Sequence, residues 1–274
     1  MPSETPLNMV DPVPGVAKPD PILVVDSVKR SFGGVHAVDV HHLEVQRETI
    51  TSLIGPNGAG KTTLFNLLSG FDRHDDGTWH LDGGRLVGIP AFRVARRGMV
   101  RTFQLTRSLA RLTVLENMLV GAQNQPGESF WVALTGGWQS REKENIEKAM
   151  ALLERFNLDK MADELAGSLS GGQRKLLEMA RALMVDPELV MLDEPMAGVN
   201  PALTQSLLVH IQALRDEGMT VIFIEHDMDV VQEISDWVVV MSQGKIIAEG
   251  PPAHIAANPA VIDAYLGRHH GEHG

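Results

Sequence analysis

The sequence predicts an α/β fold, a parallel sheet covered by helices with a helical subdomain inserted into it, and three observations lead there. A β-branched run, "TITSLI" at 49–54, enters the glycine-rich "GPNGAGKTT" at 55–63, which opens into the helically spaced "TTLFNLLSG". Three later runs, "LVMLDE", "TVIFIEHD" and "WVVVM", are continuously apolar rather than alternating, as in parallel strands buried on both faces. Between these groups, residues 91–185 read as mostly helical.

Composition bounds the reading. With 274 residues, 43% of them hydrophobic and 22% charged, the chain has the make-up of a soluble globular protein with a real core. The net charge of -11 is spread along the chain with no basic stripe, which disfavours nucleic acid as a partner. The absence of cysteine excludes disulfides and thiolate metal sites and fits a reducing compartment. No apolar run suggests a membrane span and no leader pattern opens the chain, so it reads as cytosolic, with any membrane role supplied by a partner.

In order along the chain, residues 1–21 are proline-rich without period and read as a flexible tail. "ILVVDSV" and "VDVHHLEV" read as strands with "FGG" as the turn near them. Gly70 stops the helix that follows the glycine loop. Thr113 and Glu116 form a capping box for "VLENMLVGA", residues 121–140 read as an irregular connection, and "REKENIEKAMALLERF" carries an apolar stripe among alternating charges. "LSGGQRKLLEMARAL" opens a helix whose apolar face is Leu176, Ala180 and Leu183. After residue 186 strands return, ending in the hairpin "MSQGKIIAEG". Asn258 and Pro259 then cap "AVIDAYLG", where Val261/Tyr265 and Ile262/Leu266 share faces. The expected division is a tail at 1–21, a core at 22–90 and 186–250, a helical subdomain at 91–185, a helical segment at 251–267 and a tail at 268–274.

The chemistry begins at Gly55–Thr62, which fits G-x-x-x-x-G-K-[ST]. Its glycines let backbone N–H groups turn around a β-phosphate, Lys61 reaches the β- and γ-phosphates, and the Thr62 hydroxyl ligates Mg²⁺. The bland alternative is a glycine turn capping a core helix. "LVMLDEP" supplies an apolar strand ending in Asp193, a carboxylate for the metal shell, and Glu194, placed to polarise a water in line with the γ-phosphate. On its own this second pattern reads equally as a strand meeting solvent.

Taken with Phe32, Gln104 in "RTFQ", "LSGGQ" and His226 in "IEHDM", these motifs make residues 22–267 resemble the ATP-binding subunit of an ABC transporter. The resemblance implies a P-loop NTPase (RecA-like) core with an antiparallel β subdomain and an inserted α-helical subdomain. It implies that Phe32 stacks on adenine, although the residue alone reads equally as core, and that Gly55, Pro56, Asn57, Gly58, Ala59, Gly60, Lys61, Thr62 and Thr63 hold the phosphates of ATP. Mg²⁺ falls to Thr62, Gln104 and Asp193, and hydrolysis to Glu194, His226 and Gln104. Two subunits of this family pack head to tail, so Ser170, Gly171, Gly172 and Gln173 face the γ-phosphate of the other subunit's nucleotide, and ATP closes the dimer. Asp227 and Asp229 belong to the polar edge after the histidine strand, and Asn200 stands where the family's D-loop has an aspartate.

"RTFQ", "LDEPMAGVNP" and "NPAVIDAYLG" narrow the likeness to the branched-chain amino-acid importers, the LivG-like group, with urea or amide importers and lipopolysaccharide-export ATPases as neighbours. The implied partners are integral membrane permeases, a second ATP-binding subunit identical or related to this one, and indirectly an extracytoplasmic solute-binding protein, with the chain peripheral on the cytoplasmic face. Phe103, Leu109 and Leu112 are candidates for a permease groove or for core. A soluble ABC ATPase acting on ribosomes or DNA is the rival reading, weakened by the single P-loop and the lack of a heptad run; a small-molecule kinase leaves "LSGGQ" unexplained.

Overall fold

The computed structural model describes residues 6–102, 109–122 and 138–266. Two compact units result: residues 1–101, 188–196 and 211–274 form the first, and 102–187 and 197–210 the second.

The first unit holds both sheets. Strands β1 (Pro21–Phe32), β2 (Val35–Gln46), β4 (Asp76–Leu81) and β5 (Gly84–Arg85) make an antiparallel sheet in the order β2-β1-β4-β5. Strands β3 (Ile50–Ile54), β6 (Met99–Arg101), β7 (Leu189–Asp193), β8 (Thr220–Ile224), β9 (Trp237–Ser242) and β10 (Lys245–Gly250) make the second, in the order β10-β9-β3-β8-β7-β6. Every pairing there is parallel except that of β10 with β9. All residues of β3 and β8 are buried, so neither strand has a solvent face to encode, which explains their continuous apolar runs. Gln243 and Gly244 both adopt left-handed φ, 49° and 81°, as a two-residue turn between β9 and β10 requires.

Helix α1 (Lys61–Leu68) buries Leu64, Phe65, Leu67 and Leu68, and Gly70 ends it with φ 76° as expected. The short α2 (Ala91–Ala95) precedes β6. The second unit contains α3 (Val114–Val120), α4 (Trp138–Arg155), α5 (Gly171–Ala182) and residues 201–210 of α6 (Pro201–Asp216). The Thr113 capping box is present, with Glu116 N donating to Thr113 Oγ1 at 3.1 Å and Thr113 N to Glu116 Oε2 at 2.7 Å. Leu176, Ala180 and Leu183 are buried, as their spacing requires. The remaining helices, α7 (Met228–Ile234), α8 (Pro252–Ala256) and α9 (Pro259–Leu266), return to the first unit. No described helix is long and apolar enough to cross a membrane.

Three expected boundaries differ, the first being that residues 197–210, expected in the core, fall in the second unit with the start of α6. Residues 6–20, read as tail, are packed: Leu7 joins the core, and Lys18 is buried with its Nζ 3.3 Å from Glu249 Oε2. The same carboxylate accepts Val16 N at 2.8 Å and Trp237 Nε1 at 3.1 Å, while Lys18 N donates to Glu44 at 2.5 Å. Proline removes periodicity from such a segment without preventing it from docking. Residues 91–101, grouped with the helices, belong to the first unit because β6 pairs with β7; three residues are too few to display a period. Residues 1–5 and 267–274, and most of the connection at 121–140, lie outside the described residues.

Candidate nucleotide site

The glycine loop spans from β3 to α1. Gly60, the N-cap of α1, has φ 102°, and a β-carbon there would lie 2.2 Å from Ala37 O; at Gly55, φ 144°, it would lie 2.0 Å from Met241 O. Only glycine satisfies both the backbone angle and the close approach of β2 and β9. Ala59 and Lys61 are buried, Pro56 and Thr63 half-buried, and Asn57, Gly58 and Thr62 exposed at the helix start, where free N–H groups favour an anion. Lys61 Nζ is curled into the loop, donating to Gly55 O at 2.6 Å and Pro56 O at 3.2 Å. A phosphate would compete with those two carbonyls for a cation already in place.

Register brings the carboxylates to the same edge. Leu53 of β3 and Asp193 of β7 both pair with Ile224 of the intervening β8, so Asp193 stands level with the end of β3, about 10 Å across the sheet. Ligands bind beyond the carboxyl ends of parallel strands, and this is that edge. Asp193 accepts Arg101 Nη2 at 2.5 Å, and Arg101 Nη1 donates to Asn66 Oδ1 of α1 at 2.6 Å. Glu194 is exposed and holds a left-handed φ of 46°, a conformation costly for a non-glycine residue that surrounding bonds must maintain. Its N–H donates to Ile224 O at 3.1 Å.

The histidine strand ends beside it. Glu225 is 1% exposed and accepts Met196 N at 3.1 Å and His226 N at 3.2 Å. Burial pushes its carboxyl above the usual carboxylate range, with nearby Glu194 adding and the two N–H donors opposing. The His226 side chain is 64% exposed, its Nδ1 3.8 Å from Glu225 Oε2. Asp227 caps α7 by accepting Asp229 N at 3.0 Å.

Phe32, at the end of β1, is 49% exposed, so its ring is available to a ligand and the core alternative falls. Arg30 lies 4.5 Å from that ring and is itself held by Asp72 and Asp75 at 3.0 and 3.1 Å. Gln104 and Phe103 lie outside the described residues; Leu109 and Leu112 are half-buried.

Thr62 and Asp193 are hard oxygen donors of the type Mg²⁺ takes, and the guanidinium drawn to Asp193 marks that carboxylate as a seat for positive charge. No cluster of three acidic or histidine side chains that could hold a metal occurs among the described residues. An ion that completes its shell with phosphate and water needs only one or two protein ligands, so the residues fit.

In the second unit, Ser170 caps α5. Its Oγ accepts Gln173 N at 3.3 Å, and Gln173 Oε1 accepts Ser170 N at 2.9 Å. The hydroxyl proton stays available to an acceptor. The two glycines differ: Gly171 is exposed with open space where a side chain would go, whereas a β-carbon on buried Gly172 would lie 1.3 Å from Leu203 Cδ2. Gly172 is therefore dictated by packing on α6. Asn200 caps α6, with Leu203 N donating to its Oδ1 at 3.0 Å.

Arg101, Glu225 and Tyr265 escape a reading of the motifs. Arg101 opens the quoted "RTFQ" and Glu225 lies within "IEHDM", and that adjacency to Gln104 and His226 is the only signal these two carry. Tyr265 places its buried hydroxyl against the Gly55 backbone, and burial pushes its pKa above the usual tyrosine value, so the phenol holds its proton more tightly.

The ABC transporter family model matches residues 38–197, and that of the branched-chain amino acid ATP-binding cassette transporter matches 245–271. The chain is 45% identical over 250 residues to the high-affinity branched-chain amino acid transport ATP-binding protein BraF of Pseudomonas aeruginosa, covering 90% of this chain and 98% of that one. It is 41% identical to a probable branched-chain amino acid transport ATP-binding protein, LivG, of Archaeoglobus fulgidus, with 92% and 97% covered. Crystal structures of an ATP-binding cassette from an ABC transporter, one nucleotide-free and one in an ADP conformation, superpose with TM-scores of 0.80 at 38% identity, covering 90% of this chain and 99% of theirs.

Proposed function

Since the chain belongs to the ABC transporter family, we propose that it is the ATP-hydrolysing subunit of an importer for branched-chain amino acids. The cargo reading is carried by the match at residues 245–271 together with the relatives' function, because no residue of this chain need touch the solute.

The residues divide the work as follows. The N–H groups of the loop from Gly55 to Thr63 hold the phosphates, Lys61 exchanges its two carbonyls for β- and γ-phosphate oxygens, and Phe32 stacks on adenine. Thr62 and Asp193 would hold Mg²⁺, which when bound neutralises charge on the phosphate oxygens; Gln104, expected to join them, lies outside the described residues. Glu194 accepts the proton of the attacking water, and His226 donates to the γ-phosphate. Ser170, Gly171, Gly172 and Gln173 face the nucleotide of a second ATP-binding subunit, so hydrolysis opens a dimer that ATP holds closed. Permeases then place the pair on the cytoplasmic face of the membrane, and a solute-binding protein on the other side delivers cargo.

The test is to purify the tagged chain from gently solubilised host membranes, identify its companions by mass spectrometry, and reconstitute them in liposomes. Permeases with ATP-dependent uptake of labelled leucine or valine, and none of urea, are expected. Ribosomal or DNA-repair companions without a permease would overturn the importer.

A further inference from the structure

Two hydrogen bonds stitch the turn after β7 to the end of β8, and a third, between neighbours in sequence, fixes the end of β8 itself. Glu194 N donates to Ile224 O, Met196 N to Glu225 Oε1 and His226 N to Glu225 Oε2, at 3.1, 3.1 and 3.2 Å. One carboxylate thus grips both the segment that carries Glu194 and the segment that carries His226. Glu225 is 1% exposed, so it is no solvated strand end: a carboxylate buried there must be held by donors, and these two N–H groups hold it as firmly as it holds them. The clasp matters because Glu194 sits at φ 46°, a backbone state that persists only where neighbours over-determine it, and Met196 is anchored just beyond.

We propose that Glu225 is a positioning residue for ATP hydrolysis, locking the backbones of Glu194 and His226 into one frame so that the base and the histidine address the same γ-phosphate. This rests on the reading of Glu194 and His226 as the hydrolytic pair. The chemistry requires a carboxylate: it has two acceptor oxygens, one for each segment, whereas an amide has one and sets an NH₂ against the second N–H. Aspartate keeps both oxygens on a shorter stem.

The experiment uses the full chain, with E225Q and E225D assayed for kcat and for KM of ATP, and amide exchange followed in the same samples. In E225Q, kcat falls about tenfold or more, the loss that one charge-assisted hydrogen bond supports, while KM stays within about twofold. Exchange at Met196 and His226 quickens while β3 stays protected. E225D, if E225Q does not fold, loses kcat in the same pattern. Parent-like kcat in a folded variant overturns the proposal, as does reduced kcat with unchanged exchange at those two amides, or loosening that extends through β3. E194Q and H226A in the same assay separate the two levels: if both hydrolyse ATP normally the underlying site reading fails, and if both are impaired while E225Q is not, only the role of Glu225 fails.

Discussion

Replacing Gly172 with alanine tests whether the second glycine of "LSGGQ" serves the nucleotide or the packing. The added β-carbon would lie 1.3 Å from Leu203 Cδ2, 2.6 Å from its Cγ and 3.3 Å from its Cδ1, so the half-buried leucine side chain must swing aside. Overpacking of this kind costs about 1–3 kcal/mol, offset by about 1 kcal/mol of helix propensity gained when glycine becomes alanine. Leu203→Ala, at a half-buried site, costs about 1–2 kcal/mol by the apolar area it gives up. In that background the clash is gone and only the propensity gain remains, so the double mutant should be more stable than the two single effects sum to, by about 1–3 kcal/mol. Urea unfolding followed by helix signal measures this coupling, and ATPase assays of the same four proteins read its consequence. Activity lost in Gly172→Ala should return in the double mutant to the level of Leu203→Ala alone. A double mutant as inactive as Gly172→Ala, with stability effects that simply add, would refute the packing argument and return the glycine to the phosphate.

Two further outcomes are expected. Phe32→Ala removes an exposed stacking surface worth about 1–3 kcal/mol per base, so KM for ATP should rise about tenfold with kcat little changed; unchanged nucleotide affinity would remove Phe32 from the site. His210 packs on Phe156 with ring centroids 4.5 Å apart, and burial, with Arg155 adding, holds its imidazole below the usual histidine range. The unfolded chain then binds the proton more readily, so this contribution to stability is present above about pH 6.5 and is lost as pH falls through the folded value. The urea midpoint should drop more in the parent than in His210→Phe between about pH 7 and 5.5, and parallel curves would count against it.

What could be read in the sequence follows physical locality. The glycine loop was legible because a phosphate cradle needs fixed residue types at fixed spacing between a strand and a helix, and β3 and β8 because burial on both faces leaves an unbroken apolar run. Glu225 was not, since an acid at a strand end reads as contact with solvent until the donors arriving from Met196 and His226 are seen. The packing demand at Gly172 was not legible either, because Leu203, which fills the space of a side chain there, lies on another helix. Asn200 was read as a departure from an aspartate, though with Pro201 it repeats the Asn-Pro cap recognised at Asn258; the expected motif obscured the local rule. β6 and the docked residues 6–20 depend on partners far along the chain, which no window can contain.

The clip between Lys18 and Glu249 also sets an order in time. The two residues are 231 positions apart, so on a translating ribosome the lysine emerges on the order of ten to forty seconds before its counter-charge exists. Throughout that interval the amino-terminal segment has no Glu249 carboxylate to accept Val16 and Lys18, and it stays hydrated. Only the Glu249 half of its anchorage waits for β10, the edge strand of the core sheet, since Lys18 N and Asp20 N find Glu44 and Gln46 on β2.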